Sequence, residues 1–255
     1  MKFLLIGNGF ITPTHKEAIK SIDGEVVDII DKDQGEEKWK EAIKNTDADC
    51  IVILTPNDLH FEMALASAKE GKTVLCEKPL ALSSKEAKEL INYPDIFTVA
   101  QLRYHPTVKE LKDKISQKEN YKIKIDISVH RDKNYYQSWK GQKEKSGGIL
   151  FNLGIHYFDL LLYLFGPAQK IQTNFLTKTK EGGIIEGKNY LCQWYITAEE
   201  EKENQKRLFE INGISYNFFP AENLHIYVYQ DLLKGKGITP KEALKSIELI
   251  EKIYA

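Results

Sequence analysis

The stretch that decides the fold is Phe3-Leu4-Leu5-Ile6-Gly7-Asn8-Gly9-Phe10-Ile11-Thr12. Its four apolar residues predict a buried strand, and the G-x-G that follows opens a predicted helix at 15–20. Gly7 permits a tight turn, and Gly9 lets backbone N–H groups approach a pyrophosphate at the positive end of that helix. Thr12 stands where the dinucleotide fingerprint prefers Gly or Ala, so the match is incomplete. The stretch predicts a dinucleotide-binding strand–turn–helix, with a nucleotide-free flavodoxin-like sheet as the alternative.

Short apolar strands and amphipathic helices alternate over the first hundred residues, which indicates a parallel, doubly wound sheet. Ser83 and Glu86 form a capping box for the fourth helix. The predicted strands are Phe3–Ile6, Val26–Ile30, Cys50–Leu54, Thr73–Cys76 and Phe97–Ala100, and the predicted helices are 15–20, 36–44, 58–70 and 84–92. The fold class is therefore α/β, with a Rossmann sheet at the N-terminus.

After Gln101 the pattern changes to an α+β domain with an open, mainly antiparallel sheet. We expect a Rossmann domain over 1–102 and a domain for substrate binding and oligomerisation over 103–255. Thr239-Pro240-Lys241-Glu242 carries an N-cap, an initial Pro and a capping Glu for the last helix. The predicted helices are 107–116, 149–165, 223–233 and 240–254, and the predicted strands are 123–129, 168–179, 190–197, 206–211 and 214–219.

Composition excludes several classes of protein. The 36 Lys and Arg residues nearly balance 37 Asp and Glu residues, so the net charge of −1 provides no field for nucleic acid. No uninterrupted apolar run approaches the ~20 residues of a membrane span, and the N-terminal run is too short for a signal peptide. Cys50, Cys76 and Cys192 form no C-x-x-C pair and suggest buried thiols in a reducing cytoplasm. No cluster has metal-ligand spacing, so we expect no metal site.

Asp31 ends the second predicted strand, 22 residues after Gly9. A carboxylate about 20 residues beyond the glycines binds the adenosine ribose in dinucleotide sites. It would also repel a 2′-phosphate, which favours NAD over NADP. Asp28 is the alternative, although it lies within the strand.

Two polar motifs follow predicted strands at their carboxyl ends, where ligands bind to open α/β sheets. Thr55-Pro56-Asn57 comes first, with His60 one turn further on, but these residues could also form a plain turn and a surface cap. Glu77-Lys78-Pro79 follows the next strand. A Lys beside a bound nicotinamide could exchange a proton with a substrate hydroxyl, and a cis X-Pro bond would fix its position; the alternative is a solvated turn.

The apolar helix 149–165 carries Asn152 and His156, four residues apart on one face. Ser146-Gly147-Gly148 precedes it as a flexible helix start rich in N–H donors. A lone His on such a helix is often a core residue. No Ser or Cys occupies a nucleophile elbow, so hydride transfer fits the remaining residues.

Four motifs together resemble the glucose–fructose oxidoreductase/inositol dehydrogenase (Gfo/Idh/MocA) family. They are the G-x-G turn, Thr55-Pro56-Asn57-x-x-His60, Glu77-Lys78-Pro79 and Gly147-Gly148-x-x-x-Asn152-x-x-x-His156. Within the family, the chain is most similar to UDP-N-acetyl-2-amino-2-deoxyglucuronate dehydrogenases of surface-polysaccharide synthesis. The stretches behind this similarity are Gly9–His15, Gln101–Pro106, Ser138–Gly141, Glu144–Gly148 and Ser246–Ile250.

The resemblance implies NAD-dependent oxidation of the carbon-3 hydroxyl of a UDP-N-acetylglucosaminuronate-type sugar. It implies that Lys78 contacts that hydroxyl and that His156 is its acid/base partner. Many family members have Asp where this chain has Asn152, and an amide cannot transfer the proton. The implied cofactor-binding residues are Gly7, Gly9, Phe10, Ile11, Asp31, Thr55, Asn57, His60, Glu77 and Gln101, and the implied substrate-binding residues are Arg103, Arg131, Lys140, Lys145, Ser146 and Asn152.

Arginine is scarce, with only three in the chain, and two of them fall in the substrate set, as bidentate recognition of anions would favour. The family also implies a homodimer or homotetramer through 168–219, with 2-oxoglutarate as a candidate hydride acceptor. Between Asp31 and Cys50 there is room for one short helix, so the adenosine side of the site is expected to be trimmed. A dehydrogenase of the same fold that acts on a polyol or another sugar, and a non-catalytic sensor of NAD and sugar, remain alternatives.

Overall fold

The computed structural model describes residues 1–31, 35, 37–116, 118–218 and 223–255. Its chain forms two compact units. The N-terminal unit contains Met1–Tyr104 and Pro220–Leu244, and the C-terminal unit contains His105–Phe219 and Lys245–Ala255. The predicted single boundary at residue 102 therefore omits the late segment 220–244, which belongs to the N-terminal unit.

The N-terminal unit is built on a five-stranded parallel sheet with strand order β2-β1-β3-β4-β5. This confirms the predicted parallel α/β sheet. Among the described residues, no strand lies outside β2. The strands are β1 Lys2–Ile6, β2 Glu25–Ile30, β3 Cys50–Ile53, β4 Thr73–Cys76 and β5 Ile96–Thr98.

The predicted helices of this unit are present, and Ser83 accepts a hydrogen bond from the Glu86 N–H as the capping box requires. Residue 36, the predicted start of the second helix, lies outside the described residues. The helices are α1 Thr12–Ser21, α2 Lys38–Asn45, α3 His60–Lys69 and α4 Ser84–Leu90, and the returning segment adds a further helix at His225–Leu232.

That returning helix completes the core of the N-terminal unit. Tyr229 is fully buried, and its ring meets that of Phe3 edge-on with centroids 5.6 Å apart. Val228 and Leu232 join the same apolar cluster, together with Leu5 and Leu75 of the sheet. At about 1.5–3 kcal/mol for each buried large apolar side chain, this packing stabilises the docked segment by several kcal/mol.

The C-terminal unit contains a six-stranded sheet in the order β11-β10-β6-β9-β8-β7. Four of its five strand pairs are antiparallel, and β6 pairs with β9 in parallel, so the predicted mainly antiparallel sheet is confirmed. The predicted end of the last strand, residue 219, lies outside the described residues. The strands are β6 Tyr121–Ser128, β7 Ala168–Leu176, β8 Lys180–Gly187, β9 Tyr190–Thr197, β10 Lys206–Ile211 and β11 Ile214–Tyr216.

Strand β8 has no counterpart among the predicted strands. Its sequence, Lys-Glu-Gly-Gly-Ile-Ile-Glu-Gly, has too many glycines for a strand pattern. A Cβ at Gly183 would lie 2.3 Å from the Gln172 carbonyl oxygen of β7, so the close approach of the two backbones requires glycine there.

The predicted helix 149–165 is divided in the structure. Leu150–Gly154 is a π-helical turn, and the α-helix runs over Ile155–Phe165. The stretch Lys143–Phe165 is long and apolar enough to cross a membrane by length and composition, although Gly147 and Gly148 interrupt it with positive φ, and 67% of its apolar window is buried. Core helices of globular domains show the same pattern.

The helices of this unit are α5 Pro106–Lys114, α6 Lys133–Gln137, α7 Lys143–Ser146 and α8 Ile155–Phe165; α9 is His225–Leu232, and α10, Pro240–Tyr254, closes the chain.

Tyr254, near the end of the chain, is hydrogen-bonded to the first residue of the π-helical turn and to β8. Its hydroxyl donates to Glu181 Oε1 at 3.2 Å and accepts from the Leu150 N–H at 3.4 Å. Glu181 is 4% exposed, and its Oε2 has no hydrogen-bond partner in the described structure. Burial raises the pKa of Glu181 to about 7.

We expect Glu181→Gln to stabilise the protein at alkaline pH. A carboxyl whose folded pKa is raised from 4.5 to about 7 leaves folded stability intact below pH 4.5 and lowers it progressively up to pH 7. At 1.36 kcal/mol for each pH unit, the cost is at most roughly 3 kcal/mol. Thermal unfolding at pH 5 and pH 8 measures it, with exposed Glu186→Gln of the same strand as the control. If Tm changes by the same amount between pH 5 and pH 8 in Glu181→Gln and in wild type, the raised pKa of Glu181 is contradicted.

Candidate active site

The turn after β1 has a backbone that only glycine can adopt. Gly7 has φ +106°, and a Cβ there would lie 2.7 Å from the Leu54 carbonyl oxygen. A Cβ at Gly9 would meet nothing within 4 Å, so its backbone faces open space. Phe10 beside it is 92% exposed. The turn therefore leaves room for a ligand at the start of α1.

Thr12 has a structural reason to depart from the Gly or Ala of the fingerprint. It is 1% exposed, and its hydroxyl donates to the Gly7 carbonyl at 3.2 Å. Ile11, the N-cap residue of α1, has an apolar side chain that cannot cap the helix. Pro13 has no N–H, and the Thr12 and Thr14 N–H groups donate to the Gly9 and Ile11 carbonyls, so the start of α1 offers a phosphate the positive end of its helix dipole.

Asp31 directly follows Ile30, whose carbonyl accepts from the Gly7 N–H at 2.7 Å. Its backbone therefore lies beside the glycine turn in space. Asp28 lies within β2, is exposed and accepts from its neighbour Ile29 N–H. Position in the sheet favours Asp31 over Asp28 as the ribose-binding carboxylate.

The turn after β3 is held by His60. Its ring nitrogens lie 2.6 Å from the Pro79 carbonyl oxygen and 2.9 Å from that of Thr55. Both ring nitrogens thus face carbonyl oxygens, and burial lowers the pKa of His60. Asn57 is 5% exposed in the short turn between them. His60 therefore joins the turns that follow β3 and β4.

Glu77 follows β4 and is bonded to groups of its own chain. Its Oε1 lies 3.0 Å from His15 Nε2 and 3.4 Å from His225 Nε2, and its Oε2 accepts from the Lys78 N–H at 3.2 Å. Burial would raise the pKa of Glu77, but the bonds from the two histidines outweigh it and hold the pKa well below its ordinary value. Glu77 is thus ionised, with three donors around it.

Lys78 and Gln101 complete the carboxyl edge of this sheet. The Lys78–Pro79 peptide is cis. Gln101 begins the short helical turn after β5, and its Oε1 is buried with no hydrogen-bond partner in the described structure. An amide acceptor in that state suits the carboxamide N–H of a nicotinamide. This orphaned acceptor and the open glycine turn fit the dinucleotide expected there.

In the C-terminal unit, Asn152 and His156 lie where the π-helical turn passes into α8. The Asn152 side-chain amide donates to the Lys140 carbonyl at 3.3 Å. Single π-helical turns inside helices occur frequently at functional sites. The preceding Ser146 is fully buried, and its hydroxyl accepts from the Gly148 N–H, so part of the predicted donor-rich start is used within the chain.

Arg131 borders a cavity of about 390 Å³ in the same unit. Its guanidinium lies 5.3 Å from the Tyr135 ring centre, and its buried Nε lacks a hydrogen-bond partner in the described structure. Burial, together with the positive charge of Arg131, lowers the pKa of Lys140. Two cations in partial burial favour an anionic ligand. The cavity is lined by His130, Arg131, Tyr136, Lys178, Thr179 and Glu199.

Two further predicted substrate residues have different surroundings. Arg103 lies in the N-terminal unit, where its Nη1 donates to Glu242 Oε1 at 2.9 Å. Burial opposes ionisation of Glu242, but bonds from Thr239 and Arg103 hold its pKa below the ordinary value. Lys145 is exposed on α7. Their contacts with substrate remain predictions.

Sequence spacing missed one cluster. His15, Glu77 and His225 bring their ring nitrogens and carboxylate oxygen within 4.8 Å of one another, and Tyr229 bonds to His15 Nδ1 at 2.8 Å. Because His225 follows Glu77 by 148 residues, no local motif could reveal the contact. The one available signal was a histidine near the start of each of the two helices α1 and α9.

Sequence models of one family match both parts of the chain. The "Oxidoreductase family, NAD-binding Rossmann fold" matches residues 1–95, and the "Oxidoreductase family, C-terminal alpha/beta domain" matches residues 112–202. Glucose-6-phosphate 3-dehydrogenase of Bacillus subtilis is 29% identical over 216 residues, covering 72% of this chain and 61% of its own. The chain spans 39–61% of the length of this and two other curated relatives.

Solved structures match over nearly the full length. The WlbA (WbpB) dehydrogenase of Thermus thermophilus in complex with NAD and UDP-GlcNAcA is 26% identical, with a TM-score of 0.88, covering 100% of this chain and 95% of that one. The same enzyme with NAD and alpha-ketoglutarate is 27% identical, with a TM-score of 0.88, covering 99% and 94%.

The two family matches cover well over half of the chain and agree with the parallel sheet, the glycine turn and the C-terminal sheet. The chain therefore belongs to the Gfo/Idh/MocA oxidoreductase family, and its N-terminal part is that family's NAD-binding Rossmann domain.

Proposed function

We propose that this protein is an NAD-dependent sugar dehydrogenase that oxidises the carbon-3 hydroxyl of a UDP-N-acetylglucosaminuronate-type nucleotide sugar. The observation that carries the proposal is a pair of cations in the C-terminal unit: Arg131 lines the cavity, and Lys140 lies near enough that the Arg131 charge, after burial, lowers its pKa. A neutral polyol has no charge that would require them. The likeness to WlbA, whose solved complex contains UDP-GlcNAcA, supports the same substrate class.

Oxidation of the hydroxyl releases a hydride and a proton. NAD held at the glycine turn would supply the hydride acceptor, and a group of the chain must take the proton. We assign Lys78 to the reacting hydroxyl and His156 to the acid/base role, because the amide of Asn152 is neither an acid nor a base near neutral pH. When NAD is bound, Gln101 Oε1 would accept from the nicotinamide amide, and the turn at the start of α1 would hold the pyrophosphate.

Two further parts of the proposal concern partners. The complex of WlbA with alpha-ketoglutarate supports a 2-oxo acid as the acceptor that regenerates NAD. Exposed apolar side chains on the C-terminal sheet support its contact with a second copy of the chain. They include Phe175, Leu176 and Leu191, each about 42% exposed.

The first test is a single-turnover absorbance assay for NADH. Protein with NAD is mixed in parallel with UDP-N-acetylglucosaminuronate, UDP-N-acetylglucosamine and myo-inositol. We expect NADH with the uronate alone. NADH with inositol alone would move the protein to the polyol dehydrogenases, and NAD binding without any NADH would favour the sensor.

Lys78→Met should lower single-turnover rates with the uronate by about 10²–10⁴-fold, the usual contribution of an acid/base group, with NAD affinity within about twofold. Exposed Lys85→Met is the matched control. Full activity of the Lys78 variant would remove this residue from the mechanism.

Arg131→Gln should raise KM for the uronate by about tenfold to a hundredfold, because charged hydrogen bonds contribute roughly 1.5–3 kcal/mol. Arg207→Gln on β10 provides the matched arginine control. Steady-state kinetics with both variants measure the difference, and equal KM values would place the anion elsewhere.

Asp31→Ala should raise the ratio of kcat/KM with NADP to that with NAD by roughly tenfold or more, because a like charge facing the 2′-phosphate is removed. Asp28→Ala is the control and should leave the ratio unchanged. If Asp28→Ala changes the ratio and Asp31→Ala does not, the ribose-binding role belongs to Asp28.

A further inference from the structure

The buried cluster of His15, Glu77, His225 and Tyr229 has no part in the mechanism proposed above. Its members come from α1, the end of β4 and α9, all within the N-terminal unit. The side chains of His15 and His225 are 0% and 7% exposed, and that of Glu77 is 12% exposed. Each ring nitrogen in the cluster has one polar partner, so the positions of the protons can be derived.

Asn223 determines the proton on one nitrogen of His225. The Asn223 side-chain nitrogen donates to the Thr14 carbonyl at 2.9 Å and to Glu17 Oε2 at 3.0 Å. Both partners are acceptors, so the amide orientation is fixed and its oxygen faces His225. That oxygen accepts from the His225 backbone N–H at 3.0 Å and also lies 3.1 Å from His225 Nδ1, so a hydrogen on Nδ1 makes the second contact a hydrogen bond.

The other nitrogen of His225 faces the Glu77 carboxylate at 3.4 Å. In a neutral ring with a hydrogen on Nδ1, Nε2 presents a lone pair to the anion, a repulsive contact in a buried setting. A second hydrogen on Nε2 turns the contact into a charge-assisted hydrogen bond.

His15 needs no charge. Burial raises the pKa of Tyr229 well above its ordinary value, so its hydroxyl keeps its hydrogen. Among the described residues, the only acceptor for that hydroxyl is His15 Nδ1, at 2.8 Å. His15 then has its own hydrogen on Nε2 and donates it to Glu77 at 3.0 Å. Burial also lowers the pKa of His15, in agreement with a neutral ring.

We infer that His225 is an imidazolium, which forms a buried ion pair with Glu77 and acts as a positioning residue for Lys78. The chain of bonds runs from Asn223 through His225 to Glu77, whose second oxygen accepts from the Lys78 N–H. Asn223 also binds Thr14 and Glu17 of α1. The returning segment thus joins the helix of the glycine turn to the loop that carries Lys78. The positioning role rests on the proposed function, whereas the charge state does not.

The charge state is tested by NMR on the intact protein with ¹⁵N-labelled histidine at pH 7.5. We expect both ring nitrogens of His225 to be protonated and His15 to be protonated on Nε2 alone, with each set of signals assigned by its loss in His225→Gln or His15→Gln. A His225 ring with an unprotonated Nε2 would overturn the inference. So would elemental analysis that finds one equivalent of a chelator-removable divalent metal, since a cation would then replace the proton.

A double-mutant cycle tests the ion pair by thermal unfolding. Glu77→Gln and His225→Gln should each lower Tm by about 6 °C or more, because each leaves one buried charge unpaired. The decrease in Tm of the double variant should be clearly smaller than the sum of the two single decreases. If the decreases add, Glu77 and His225 do not form an ion pair.

Kinetics test the positioning role. His225→Gln should lower kcat about tenfold or more with KM for the sugar within about twofold, since the Lys78 backbone loses its support. His105→Asn, which can still cap α5, is the control. An unchanged kcat would remove His225 from the positioning of Lys78. If wild type forms no NADH with any sugar, the proposed function fails, while the NMR and the cycle still decide the charge state.

Discussion

The parallel register of the N-terminal sheet is the constraint on which the candidate site depends. Ile6 pairs with Ile53, Ile53 with Cys76 and Cys76 with Thr98, so four strands end in one row. The chain positions after that row are therefore neighbours, however far apart they are in sequence. The glycine turn, the His60 turn, Glu77-Lys78 and Gln101 all follow from this alignment. The sheet thus sets the backbone positions along this edge, and the residue that follows each strand sets the chemistry at its position.

A buried carboxylate at this edge is unfavourable by itself, because burial opposes its negative charge. Glu77 is kept ionised by two histidines from helices that are far apart in the chain. Since a buried ion pair needs all its partners in place, the segment 223–232 must dock before the edge is complete. The apolar contacts of Val228, Tyr229 and Leu232 provide that docking. Packing and electrostatics thus act through the same helix.

Sequence patterns predicted what depends on local periodicity. The five parallel strands, the Ser83 cap and the helix 240–254 follow from apolar runs and capping residues, and the structure confirms them. Strand β8 was missed because its glycines allow a close approach to the neighbouring backbone and leave no alternating apolar pattern. The π-helical turn at Leu150–Gly154 was missed because its apolar sequence suits an α-helix equally well. The roles of Lys78, His156 and Arg131 remain predictions, since they concern ligands that only experiment can add.

The strand order limits how the adenosine end of a dinucleotide is held. In the usual Rossmann order a further strand lies outside the second one, whereas the described residues place β2 at the sheet edge. The expected trimming between Asp31 and Cys50 agrees with this order, since α2 is the helix that connects β2 to β3. With fewer strands beside the ribose, cofactor selection rests on fewer side chains. The role proposed for Asp31, next to the Ile30 carbonyl that accepts from Gly7, would then account for more of the choice between NAD and NADP than in a full Rossmann sheet.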